Sequence, residues 1–192
     1  MFQFGKIRVT AGFFLIPIGM LVLGAADVIP AVAFAAILHE AGHLITLAVC
    51  KVRVEEICVT AFGAEIRADL RYVPYGKDIL CTLAGPVCNI AAALILGRAT
   101  SAHLLAGANL LQGMFNLLPL TGLDGARVLQ LLLCLVLDPI RAERISRVVE
   151  LTGAVGLAVI TLHLVCLHHA GGFVLLALVG IFVSIWREMR GK

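Results

Sequence analysis

The sequence has 192 residues, 61% of them hydrophobic and only 14% charged, with a mean hydropathy of +1.04. Soluble domains are about 45–50% apolar and about 25% charged, so an ordinary soluble globule is excluded, as are disordered, collagen-like and coiled-coil chains. The net charge of +3 sits in connecting segments, where it reads as a membrane-topology signal and not as a nucleic-acid footprint. A helical span takes roughly 20 residues, which leaves room for five or six spans and no separate soluble domain.

In chain order, the first apolar run is Ala11 to Ala26, preceded by Lys6 and Arg8. It reads as a retained span and not a cleaved signal peptide, because a second apolar run starts a few residues later. That second run, Ala31 to Cys50, carries His39, Glu40 and His43. From Lys51 to Tyr75 charges alternate with Val52, Val54, Ile57 and Val59, and again with Ala64, Ile66, Ala68 and Leu70 around Phe62-Gly63. This period of two predicts a β-hairpin over residues 52–72 at the membrane surface.

A third span is expected over residues 78–97. A fourth begins near His103, is interrupted at Pro119, Gly122 and Gly125, and resumes to Leu137. At roughly 1.5 Å per residue, one helix over 103–137 would overrun the bilayer, so a broken helix is predicted. In lipid such a break survives only against protein or a wet cavity. Asp138 to Arg147 reads as a charged loop, followed by spans over 148–167 and 171–186. The expected fold is therefore an all-α polytopic membrane protein, a single domain over 1–192. It has about six transmembrane helices and a small hairpin after the second. The six cysteines (Cys50, Cys58, Cys81, Cys88, Cys134 and Cys166) form no CxxC pair and read as small hydrophobes.

With the N-terminus in the cytosol and six spans, Lys6, Arg8, Lys51, Arg53, Arg67, Arg71 and Lys77 fall inside. So do Arg141, Arg144, Arg147, Arg187, Arg190 and Lys192, while Arg98 alone lies in an outside loop. The positive-inside rule thus predicts cytosolic N- and C-termini in a multi-pass protein.

His39-Glu40-Ala41-Gly42-His43 is an HExxH sequence, for which this composition predicts only about 0.007 chance occurrences. Positions i and i+4 share a helix face, so both imidazoles can bind one metal, with Glu40 beside it as general base. Glu and His inside a span are costly unless partnered; interhelical hydrogen bonds are the plainer alternative. Catalytic zinc usually takes three protein ligands. Asp124, at the break in span four, is the best third candidate, set against the simpler reading of a helix-capping Asp. His103, His163, His168 and His169 read as interfacial, and Asp27 as a solvated loop residue. Arg127 pairs with either a carboxylate or a lipid phosphate.

HExxH in one span, with Asn116-x-x-Pro119 and Leu123-Asp124-Gly125 in a later one, resembles the site-2 protease family of intramembrane metalloproteases. The segment Ala84-Gly85-Pro86-Val87-Cys88-Asn89 is similar to the family's A-G-P-x-x-N, and the resemblance covers nearly the whole chain. The nearest subgroup is the compact sporulation type of spore-forming bacteria, without a PDZ domain. Two departures stand out. Some relatives carry a second Pro where this chain has Thr121 and Gly122, and the CBS domain common in the subgroup is not in the sequence, so nucleotide regulation is not expected.

The resemblance implies one zinc ion per chain on His39, His43 and Asp124. Glu40 would activate water and pass its proton to the leaving amine. Asn89 and Asn116 would be groups behind the ligands or in contact with substrate, with interhelical hydrogen bonds as the alternative. It implies an intramembrane endopeptidase of a bacterial plasma membrane, cutting a membrane-tethered protein in or near its transmembrane segment. The product would be a cytosolic fragment such as a transcription or sigma factor. Expected partners are that substrate, the lipid bilayer and regulatory membrane proteins, with no nucleic acid. A transporter whose buried His, Glu and Asp form an ion path, or a catalytically silent membrane adaptor, are the competing readings.

Overall fold

The computed structural model describes residues 2–4, 7–10, 15–22, 24–60, 63–70 and 72–168. The expected sixth span, His169 and the basic residues from Arg187 lie outside them. The described chain is mostly helical with one small sheet, and divides into two units at Asn116/Leu117. Among the described residues, three helices are long and apolar enough to cross a membrane: Ala26–Val49, Tyr75–Leu96 and Pro139–His163.

The first unit opens with two short strands, β1 (Phe2–Phe4) and β2 (Ile7–Val9), and helix α1 (Leu15–Val22). Helix α2 (Ile29–Val49) follows, with Pro30 in its first turn, where a missing N–H costs nothing. Then come β3 (Val54–Thr60), β4 (Gly63–Ala68), α3 (Tyr75–Leu96) and α4 (His103–Asn116). At roughly 1.5 Å per residue, α2 and α3 match the hydrocarbon thickness of about 30 Å. Helices α2, α3 and α4 all pack on one another.

Two expectations change, and a third, the first span, lies partly outside the described residues. Of that run the structure describes α1 over residues 15–22 and the turn over 24–26. Helix α1 ends where Gly24 turns left-handed at φ +74°. Gly24 N–H donates to Leu21 O at 3.1 Å and Ala25 N–H to Met20 O at 2.9 Å, a helix-closing pair of bonds. The hairpin is also not alone, because the sheet has four strands in the order β1-β2-β3-β4. β2 runs parallel to β3, Ile7 opposite Ile57 and Val9 opposite Val59, and β3–β4 is antiparallel, Ile57 opposite Ile66. Glu56 of β3 takes Arg8 of β2 at 2.6 Å and Arg67 of β4 at 3.4 Å, tying three strands through one carboxylate. The other change lies in the second unit. It holds α5 (Asp124–Cys134) and α6 (Pro139–His168), and α6 absorbs most of the stretch expected as a charged loop. Pro139 starts this helix with φ preset, Arg141 N–H donates to Asp138 Oδ1 at 3.0 Å, and Glu143 pairs with Arg147 one turn on.

The sheet is seated on the membrane helices by a small apolar cluster. Leu47, Val52 and Cys81 are buried in it, with Val54, Ile66, Ala68, Leu70 and Val73 packed around them. The five described cysteines outside α6 are free thiols. The chain turns from α2 into this cluster by the closure seen at α1: Val52 N–H donates to Leu47 O at 2.9 Å and Lys51 N–H to Ala48 O at 3.0 Å. Here the left-handed position, φ +57°, is Lys51, where a side chain costs about 1 kcal/mol. Lys51→Gly should therefore raise the thermal unfolding midpoint in detergent by roughly 2–4 °C. A midpoint that falls would mean the Lys51 side chain contributes more than its backbone strain costs.

Candidate metal centre

His39 and His43 lie one turn apart on α2, so their side chains leave the same face. His39 is buried, at 4% exposure, and Glu40, the next residue, is half-buried. Gly42 sits between the two imidazoles in sequence. A Cβ there would lie 2.7 Å from Ala84 O and 3.0 Å from Cys88 Sγ, inside any real contact. The bare backbone of α2 thus lets α3 come close, and α3 then flanks the histidines along two turns.

Both ring Nδ1 atoms are taken by α3. His43 Nδ1 lies 2.8 Å from the backbone carbonyl of Cys81, an acceptor only, so this nitrogen carries the proton. His39 Nδ1 lies 2.7 Å from Asn89 Oδ1. The Asn89 amide nitrogen donates to Ala35 O and to Asn109 Oδ1, both at 2.9 Å, which fixes Oδ1 as the acceptor facing His39. With both protons on Nδ1, the lone pairs are on Nε2. Those two atoms face each other at 3.1 Å, with the rings edge to face at 81°.

Two lone pairs so placed repel unless something positive lies between them. Their separation is also within the reach of one zinc ion, whose Zn–N bonds are about 2.0–2.1 Å. Metal-ligating histidines characteristically give their other N–H to a carbonyl or a similar acceptor. The donor set therefore fits a metal. Gly85 guards the second imidazole, since a Cβ at that position would run into the His43 ring.

Asp124 belongs to the second unit, as the first residue of α5, half-buried and preceded by Leu123 in extended conformation. Gly122 supplies a left-handed turn at φ +85°. A Cβ on Gly125 would collide with the carbonyls of Leu117 and Leu118, so the start of α5 folds tightly onto the segment after Asn116. Thr121 Oγ1 donates to Glu150 Oε2 at 2.8 Å, and Ser146 Oγ donates to Glu150 Oε1 at 2.7 Å. Helix α6 thereby holds the segment that leads to Asp124. Asn116 donates its amide to Gln112 O at 3.0 Å, within its own helix.

Three contributors escaped the sequence reading: Asn109, the Cys81 carbonyl and Glu150. A backbone carbonyl has no sequence signature. Asn109 and Glu150 have a weak one, a lone polar side chain inside an apolar helix.

No family model matches the sequence, and no curated protein matches it. Among solved structures, a site-2 protease from Methanocaldococcus jannaschii matches with a TM-score of 0.72. The match covers 98% of this chain and 93% of that one at 20% identity. This chain has the site-2 protease fold. That fold and the three apolar helices agree on an association with the membrane.

Gly85→Ala tests the packing around this centre. It should weaken metal binding by about tenfold or more, as loss of outer support to a ligand commonly does, while the helical circular dichroism stays unchanged. Wild-type affinity in that variant would mean that His43 is not held against Gly85.

Proposed function

We propose that the chain is an intramembrane zinc endopeptidase. The observation that carries this reading is the pair of Nε2 atoms at 3.1 Å, each left with a lone pair by an acceptor on its Nδ1. The likeness to a solved site-2 protease supports it. His39 and His43 would hold the metal, with Asp124 of the Leu-Asp-Gly segment as third ligand, the usual number for a catalytic zinc. A zinc ion there supplies Lewis acidity, polarising a peptide carbonyl and acidifying water toward neutral pH.

The remaining work falls to the chain. Glu40 takes the proton of the attacking water and returns it to the departing amine, so one carboxylate serves as base and then as acid. Asn89 holds His39 in its ligating tautomer, and Asn116, late in α4, is available to a substrate backbone. The substrate is a membrane-tethered protein. Its helix must unwind locally, because a helical segment hides its peptide carbonyls in i to i+4 bonds. The basic residues support an inside location for the sheet. In that topology His39 lies at the middle of α2 and His43 in its inner half, and Asp124 is expected toward the inner end of the fourth apolar run, which supports release of the product to the cytosol. A transcription or sigma factor freed at a bacterial plasma membrane fits this description.

Metal analysis of detergent-purified, chelator-free protein should find about one zinc per chain, retained in Glu40→Gln and lost or weakened in His39→Ala and Asp124→Ala. Cleavage of a membrane-tethered reporter should fall by about 10²–10⁴ in Glu40→Gln. Undiminished cleavage in that variant rejects the protease reading, and absence of zinc from well-folded protein returns the chain to the transporter or adaptor readings.

A further inference from the structure

Asn109 of α4 is completely buried, as is Asn89 of α3. No motif contains Asn109, and its hydrogen bonds go to Asn89 and to Leu105 O. Its position in a hydrogen-bond chain gives it a role. The Asn109 amide nitrogen donates to Leu105 O of its own helix at 2.8 Å, which fixes the direction of the side chain and turns Oδ1 toward α3. That oxygen accepts from Asn89 Nδ2 at 2.9 Å, and the other amide hydrogen of Asn89 goes to Ala35 O of α2 at 2.9 Å. Both donors of Asn89 are thus spent on oxygens, and its own oxygen is left for His39 Nδ1 at 2.7 Å.

The alternative arrangement shows what this order prevents. A flipped Asn89 would set its oxygen against two acceptor oxygens and turn its NH₂ toward His39 Nδ1. That nitrogen would then have to carry the lone pair, and the ring proton would move to Nε2, the atom facing His43. A protonated Nε2 cannot ligate a metal. In a buried, apolar setting an unpaired or opposed polar group is costly, and that decides between the two amide orientations.

We propose that Asn109 is a positioning residue: acting through Asn89, its carbonyl oxygen keeps the His39 proton on Nδ1 and Nε2 open as a ligand atom. The inference rests on reading His39 as a metal ligand. It differs from a plain helix–helix hydrogen bond, which would hold α4 to α3 but leave the His39 tautomer indifferent to Asn109.

The test uses the full chain in detergent, labelled with ¹⁵N-histidine, as wild type, Asn109→Leu and Asn109→Asp. The His39 signals are assigned by their loss in His39→Gln. Two quantities are read: whether His39 Nδ1 is protonated in the metal-free protein, and zinc affinity by chelator competition. In Asn109→Leu, His39 should gain an unprotonated Nδ1 population and zinc affinity should fall by about tenfold. In Asn109→Asp a protonated carboxyl can still donate to Leu105 O and accept from Asn89, so both quantities should stay near wild type. A folded Asn109→Leu with unchanged Nδ1 protonation and unchanged affinity overturns the proposal. If Asn109→Leu does not fold, Asn109→Val is read by the same two outcomes. Should the wild type bind no zinc, the metal reading fails, while the Nδ1 signal in metal-free protein still decides the role of Asn109.

Discussion

Two imidazole Nε2 atoms, 3.1 Å apart on rings whose Nδ1 atoms are both set against acceptors, are the constraint around which the first unit is arranged. Left alone, the rings would rotate apart or exchange protons. They are kept from doing so by α3, which takes both Nδ1 protons, one on the Cys81 carbonyl and one on Asn89. Cys81 and Asn89 lie eight residues apart, about 12 Å along a helix, so α3 must run close beside α2 through this stretch. Gly42 makes that approach sterically feasible where α2 meets Ala84, and Gly85 leaves room for the His43 ring. The glycines of the two motifs are there for the space they leave.

The polar chain from Leu105 through Asn109 and Asn89 to His39 crosses three helices in an apolar surround. Interhelical hydrogen bonds in membrane proteins are each worth only about 0.6 kcal/mol on average. Two or three of them would not justify burying two asparagines completely for stability alone. What the chain supplies is direction. Each link fixes which end of the next group donates, beginning at a backbone carbonyl that cannot reverse. The value lies in orientation, and orientation is what a ligand nitrogen needs.

How far this was legible depended on sequence distance. His39 and His43 could be placed on one helix face from their spacing, and the alternation around Ile57 and Ile66 marks a hairpin. Both signals are local. The parallel pairing of Ile7 with Ile57 joins segments fifty residues apart, and the earlier one, β2, has three residues, too few to show a period. The stretch from Asp138 to Arg147 looked like a loop because charges interrupt the apolar run. Yet Pro139, the Asp138 cap and the Glu143–Arg147 pair are all helix-starting features that hydropathy does not weigh. Asn109 is not legible in the same way, because an isolated polar residue in an apolar helix signals that a partner exists without saying which.

The segment before Leu123-Asp124-Gly125 is restrained in an instructive way within the second unit. A second proline would stiffen that segment covalently, by fixing φ and removing an N–H. Here the positions are Thr121 and Gly122, a residue with ordinary freedom and one with more than ordinary freedom. The restraint comes instead from α6. Glu150 accepts from Thr121 with one oxygen and from the buried Ser146 with the other, while Gly153 brings the same helix against Leu120. A glutamate in a helix apolar enough to span a membrane is costly unless its oxygens are satisfied, and both are. The carboxylate that first looks out of place in α6 therefore does for the Asp124 segment what a ring closure does elsewhere. The difference is that a hydrogen bond can open, whereas a proline ring holds its φ permanently.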